Sequence, residues 1–91
     1  FLNVAQSDGY NSELIKQNAP YDIVLSNILA RPLIEMAPHL YQNLKKGGYC
    51  VLSGFVEDQA DWVINAHKTL GLQLVKTYQI DNWFAVLMEK N

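Results

Sequence analysis

A polar amide closes an apolar run at Asn27. The run Tyr21-Asp22-Ile23-Val24-Leu25-Ser26 reads as a strand, and Ile28-Leu29-Ala30-Arg31-Pro32 leads from it into a helix. In parallel α/β sheets, ligands bind beyond the carboxyl ends of strands. A short side chain with one acceptor and two donors at that spot is therefore a candidate binding or orienting group. The local alternative is a helix N-cap. A cap should stand immediately before the first helical residue, and Pro32 lies five positions on. Other reactive side chains are poorly placed. Cys50 sits in the apolar run 49–52 and reads as an inert core thiol, with no second cysteine to pair with. His39 and His67 are far apart and lack Cys or acidic partners at ligand spacing, so no metal site is expected. His67 reads as a partly buried packing residue. Lys45 and Lys46 stand where a helix should end and complement its dipole better than they would bind phosphate.

Size and composition narrow the classes. The chain has 91 residues, which makes it one domain or part of one. At 49% hydrophobic residues it is not disordered, and no apolar run approaches the roughly 20 residues of a membrane helix. A formal charge of -2 leaves no electrostatic footprint for nucleic acid. A lone cysteine fits a reducing, cytoplasmic compartment. The chain opens on Phe1 inside what reads as a strand, so a piece of a longer protein is expected.

The elements that must position Asn27 follow from periodicity and punctuation. Residues 1–5 read as a short strand, 7–12 as a turn cluster and 13–18 as a weak helix capped by Ser12. The strand 21–26 has an apolar centre without alternation, which predicts burial on both faces. In the next helix Leu33, Met36, Ala37, Leu40 and Leu44 form one buried stripe. Pro32 suits its first turn, and Pro38 should kink or restart it. Gly47-Gly48 supplies a left-handed cap and turn. A second buried strand covers 49–53 and ends at Gly54. Acidic Glu57-Asp58 opens another helix, running to about Leu70, with Ala60, Val63, Ile64 and His67 on one face. The strands 72–78 and 83–88 are separated by only four residues and must pair antiparallel. The second of them is the inner one, and its aromatic and aliphatic stripe reads as core. The fold class is α/β, a parallel sheet with crossover helices and a terminal antiparallel hairpin.

That order resembles the C-terminal half of a Rossmann-like class I methyltransferase. The stretch Tyr21-Asp22-Ile23-Val24-Leu25-Ser26-Asn27-Ile28-Leu29-Ala30 is similar to the strand-four motif of the PrmA family. The turn Lys45-Lys46-Gly47-Gly48, the stretch Leu52-Ser53-Gly54-Phe55 with Gln59-Ala60, and the segments Gly71-Leu72-Gln73-Leu74 and Asn82-Trp83-Phe84-Ala85-Val86-Leu87 resemble the same family. The Gly-Gly turn is common to most class I methyltransferases, whereas the Asn-Ile-Leu-Ala motif is more specific. The resemblance implies S-adenosylmethionine as cofactor and methylation of lysine or α-amino groups on large-subunit ribosomal protein eleven. It implies Asn27 as the group beside the reacting amine and cofactor, with the Ile28-Leu29 backbone lining the same pocket. Asp8 matches in position an acidic residue that many class I enzymes place near adenine.

The resemblance also marks what these residues lack. No Gly-rich strand–turn–helix run is present. Residues 1–91 are therefore expected to be the C-terminal portion of a catalytic domain, without its first two strands or the family's N-terminal substrate-recognition domain. Such a chain has about half a cofactor pocket and should bind S-adenosylmethionine weakly and show no turnover by itself. Its apolar face and strand edge would favour self-association. Methyl transfer to an amine needs positioning above all. Asn27 can accept from an amine N–H or hold the amino-acid end of the cofactor, and no general base is evident. Enzymes acting on planar amides usually carry Asn-Pro-Pro-Tyr here. Ile28-Leu29-Ala30 supplies no stacking ring, which favours an aliphatic amine. Another class I N-methyltransferase and a non-catalytic interaction module are the alternatives.

Overall fold

Three parallel strands followed by an antiparallel pair form one sheet. The structure, a computed structural model, describes residues 4–7 and 21–91. The elements are β1 (Val4–Ser7), β2 (Tyr21–Asn27), α1 (Ala30–Asn43), β3 (Leu44–Val56), a 3₁₀ turn (Glu57–Gln59), α2 (Ala60–Lys68), β4 (Leu72–Ile80) and β5 (Trp83–Lys90). The strand order is β1-β2-β3-β5-β4. β1, β2 and β3 run parallel, and β5 pairs antiparallel with both β3 and β4. The expected α/β order holds, with β5 as the inner member of the hairpin. The first strand, expected over 1–5, is described as Val4–Ser7, so Ser7 belongs to it and not to the turn cluster; the rest of that cluster, the weak helix at 13–18 and Asp8 lie outside the described residues.

The sheet is covered on one face. Val24, Cys50 and Met88 stand side by side across β2, β3 and β5, as do Ser26, Leu52 and Val86 in the next row. All six are buried, and both helices press on them through Leu33, Met36, Leu40, Val63 and Ile64. The opposite face carries Leu25, Val51 and Leu87 in one row, and Leu25 is 41% exposed. The strand β2 was expected to be buried on both faces. Among the described residues only one face is covered, because α1 and α2 pack on the same side.

Several local expectations change for physical reasons. The helix α1 starts at Ala30, with Leu29 as N-cap and no side-chain cap bond, so Pro32 falls in the first turn as expected. Pro38 neither breaks nor restarts it. Its ring is exposed, on the side of the helix away from the core. Leu44 keeps its burial but belongs to β3, not to the helix. Lys45 and Lys46 lie on β3 too, and Lys45 Nζ pairs with Asp22 at 3.3 Å. The helix end is served by Lys90 instead, whose Nζ donates to the carbonyls of Tyr41 (2.6 Å) and Leu44 (3.0 Å). An ammonium on the last carbonyls of α1 satisfies orphan acceptors and complements the dipole. Between Leu44 and Tyr49 the register with β2 slips, and Gly47 at φ +83 makes the turn anticipated there.

The later elements shift less. Glu57 and Asp58 open a 3₁₀ turn, and Gln59 Oε1 accepts from Val56 N–H at 3.2 Å before α2 begins. The hairpin is tighter than expected, since only Asp81-Asn82 separate β4 from β5. Asp81 adopts φ +54, which Asp tolerates better than most residues. Cys50 is fully buried, and burial pushes its thiol up to about 12, consistent with an inert core role.

His67 is fully rather than partly buried. Its Nδ1 lies 2.7 Å from the Val63 carbonyl, so Nδ1 carries the proton and Nε2 has no partner among the described residues. Burial pulls its pKa below the usual value, against the raising effect of the Val63 bond. The unfolded chain therefore binds a proton near pH 6.5 that the folded one refuses, and stability is lost as pH falls through that range. We expect unfolding free energy to drop by up to about 1.4 kcal/mol per pH unit below roughly pH 6.5. Denaturant melts at pH 7.5 and 5.5 should show a smaller drop in His67→Met. An equal drop in both proteins would rule out His67 as the source.

Candidate functional site

Asn27 ends β2 and opens into a cleft of ≈ 640 Å³. Its side chain is exposed and makes no hydrogen bond among the described residues. Since Leu29 caps α1, the amide is not engaged as a helix cap. Ile28 and Leu29 line the same cleft. Ile28 turns its side chain against the core, whereas Leu29 is 70% exposed at the rim. The cleft lies at the upper edge of the uncovered sheet face, beyond the carboxyl ends of β2 and β3.

A bulge in β3 holds this connection in place. The register of β3 with β5 slips between Ser53 and Phe55, and Gly54 is the extra residue, at φ +97. Gly54 therefore does not end the strand as expected. It lets β3 pass directly beneath the Ile28 peptide. A Cβ on Gly54 would stand 2.8 Å from both the nitrogen and the carbonyl carbon of Ile28, and nearer still to its oxygen. Ile28 N–H donates to the Ser53 carbonyl at 3.1 Å. The segment that carries Asn27 is thus stitched to its neighbouring strand.

The far wall comes from the hairpin. Asn27, Ser53, Ala85 and Tyr78 fall in one cross-strand row through β2, β3, β5 and β4. Three strand spacings, about 14 Å, separate the ends of that row. Ile80, Trp83 and Phe84 complete the wall. Ile80 is 76% and Trp83 57% exposed. The hairpin stripe was read as core, and this holds for Val86 and Met88 but not for Trp83. The rings that the Asn27 motif lacks are supplied here by Tyr78, Trp83 and Phe84. An aromatic at a strand terminus flanked by a polar turn was the available signal.

The site is an amide in an apolar, aromatic cleft at strand ends. No group of His, Cys, Asp and Glu that could hold a metal ion occurs among the described residues. Parallel strands, crossover helices on the covered face, an antiparallel inner strand and a cleft above Asn27 define a class I methyltransferase architecture. The family model described as ribosomal protein L11 methyltransferase (PrmA) matches residues 2–91, and the chain belongs to that family. A ribosomal protein L11 methyltransferase of Brucella suis is 38% identical over 82 residues, covering 90% of this chain and 29% of the relative. One from Rhizobium meliloti is 36% identical over 85 residues, covering 93% of this chain and again 29% of the relative. The chain thus spans less than a third of the length of these curated relatives. Among solved structures, a ribosomal protein L11 methylase from Lactobacillus delbrueckii subsp. bulgaricus superposes with TM-score 0.74 at 22% identity, covering 78% of this chain and 37% of that one. The M1.HpyAVI-SAM complex superposes with TM-score 0.73 at 13% identity, covering 100% and 56%. Both support the fold.

Proposed function

We propose that this chain forms the Asn27 side of the active site in an S-adenosylmethionine-dependent N-methyltransferase. Its substrate is large-subunit ribosomal protein eleven, methylated on lysine or α-amino groups. The observation that carries the reading is the unengaged Asn27 amide at the mouth of an apolar cleft on a class I methyltransferase sheet. S-Adenosylmethionine supplies an already activated methyl group, so the protein's work is placement. The Asn27 carbonyl oxygen accepts from the amine and aims its lone pair, or the amide holds the amino-acid end of the cofactor. Apolar surface from Ile28, Leu29 and Trp83 flanks the aliphatic stem of an entering amine. Its proton passes to solvent at the open side. Asn27, Ile28 and Leu29 fit part of the cofactor, and Asp8 is proposed to serve the adenine end. The described residues include no glycine-rich phosphate-type cradle. Action on a ribosomal protein would place this role in the cytoplasm, and the chain's net charge of -2 argues against direct nucleic-acid contact; no described helix is long and apolar enough to cross a membrane.

Labelled methyl transfer by the full-length protein tests the reading. Label should enter purified large-subunit ribosomal protein eleven, and an unlabelled protein would overturn it. The rings of Tyr78 and Trp83 favour one second reading, an N-methyltransferase for a planar amine. Label in nucleic acid instead of the ribosomal protein would support that.

We also propose that residues 1–91 are the C-terminal portion of a larger catalytic domain. The row Leu25, Val51 and Leu87, which no described helix covers, is apolar surface of the kind parallel sheets normally bury. The isolated chain should therefore elute in size-exclusion chromatography at an apparent mass that rises with concentration. Titration calorimetry should show cofactor affinity weaker than micromolar. Monomeric elution throughout, or micromolar binding, would contradict this.

A further inference from the structure

Among the described residues, three side chains that line the cleft carry a hydrogen-bond acceptor: Asn27, Ser53 and Tyr78. The indole of Trp83 can only donate. Tyr78 stands three strand spacings from Asn27 along their common row, and its ring is engaged by Lys76 Nζ, 5.1 Å from the ring centre. Ser53 is one spacing away, about 4.8 Å, as the direct partner of Asn27 across β2 and β3. Partners in register point to the same face, so a single nitrogen atom in the cleft can reach both Asn27 and Ser53.

The Ser53 hydroxyl is biased towards accepting. Its Oγ lies 3.4 Å from the carbonyl oxygen of Ser26, the residue before Asn27, so the side chain leans towards β2. A carbonyl can only accept, so the hydroxyl proton points at Ser26 and the lone pairs are left for the cleft. The contact is long, and it orients the proton without locking it. The main chain of Ser53 is held more firmly. Its carbonyl accepts the Ile28 N–H at 3.1 Å, and the Gly54 bulge follows directly. A hydroxyl oriented in this way meets a ligand N–H as an acceptor before it meets a carboxylate as a donor. The pair Asn27–Ser53 therefore suits an amine better than the amino-acid end of the cofactor.

We propose that Ser53 is the second acceptor for the reacting amine: its Oγ accepts one N–H of a primary amine while Asn27 Oδ1 accepts the other. This rests on the N-methyltransferase reading above. A neutral primary amine has two N–H bonds and one lone pair. One acceptor leaves the nitrogen free to turn about its C–N bond. Two acceptors fix both hydrogens and with them the direction of the lone pair. As that lone pair forms the new N–C bond, the C–S bond of the donor breaks with its electrons kept by sulfur, and the nitrogen becomes positive. Both N–H···O bonds then become charge-assisted and strengthen. One N–H proton leaves to solvent afterwards. The two oxygens thus hold the transition state more tightly than the ground state, which acts on kcat and not on KM.

The test uses the full-length protein, with ribosomal protein eleven as substrate. Ser53→Ala should lower kcat roughly 10–100-fold, the cost of one hydrogen bond to a charged group, and leave KM within about twofold. Ser53→Thr keeps the hydroxyl on a residue suited to a strand and should return kcat to within about threefold of the unsubstituted protein. Cofactor affinity by calorimetry should be the same in all three proteins, and their melting temperatures should agree within about 2 °C. An unaltered kcat in Ser53→Ala, a kcat in Ser53→Thr as low as in Ser53→Ala, or weakened cofactor binding would each overturn the proposal. If the unsubstituted protein transfers no methyl group to this substrate, the N-methyltransferase reading fails and the assignment of Ser53 falls with it.

Discussion

Replacing Gly54 with alanine should cost about 2–4 kcal/mol of stability and most of the activity with it. The new Cβ would meet three backbone atoms of Ile28, which cannot swing aside as a side chain would. The residue would also be held at φ +97, a region that L side chains rarely occupy. Relief requires the connection between β2 and α1 to lift from β3. That motion breaks the Ile28–Ser53 bond of 3.1 Å and displaces Asn27 and Leu29 together. Denaturant melts and methyl-transfer rates on the full-length protein check both effects. A midpoint shift equivalent to less than about 0.5 kcal/mol would show that the bulge relaxes without strain.

Asn27→Ala should behave in the opposite way. Its side chain is exposed, makes no hydrogen bond among the described residues and caps no helix. Stability should stay within about 0.5 kcal/mol. Catalysis should fall by roughly 10²–10³-fold in kcat/KM, the usual cost of losing one orienting polar contact at a reacting centre. Asn27→Asp then separates the two possible roles. It keeps an acceptor for the amine N–H but repels a carboxylate. Retained cofactor affinity with residual transfer would place Asn27 on the amine; loss of cofactor affinity would place it on the amino-acid end. A melting loss in Asn27→Ala with activity intact would make Asn27 a structural residue.

The parts of this fold governed by local pattern were legible in the sequence. The stripe Leu33, Met36, Ala37 and Leu40 marked α1, and the apolar runs marked β2, β3 and β5. What periodicity could not give was the destination of each element. Ile23-Val24-Leu25 reads the same whether one face or both are covered, and here the helices share a side. Lys45 and Lys46 resemble a helix terminus in sequence, yet the terminus is met by Lys90 from another strand. The candidate site divided in the same way. Asn27 was legible because a strand end and a helix start adjoin it. Tyr78 was not, because its place in the Asn27 row depends on the register of two intervening strands. Trp83 was hidden inside an apolar run that also holds the buried Val86 and Met88.

The inner position of β5 sets an order of assembly at odds with the order of synthesis. Among the described residues β4 has no partner in the sheet except β5. A growing chain that has made β4 therefore has nowhere to dock it, and β3 keeps one bare edge until residues 83–90 emerge. At roughly 5–20 residues per second the ribosome leaves that edge open only briefly. Pauses or truncations within β5 would nonetheless leave β4 unpaired and one edge of β3 bare at once, so sensitivity to aggregation should concentrate in that short segment.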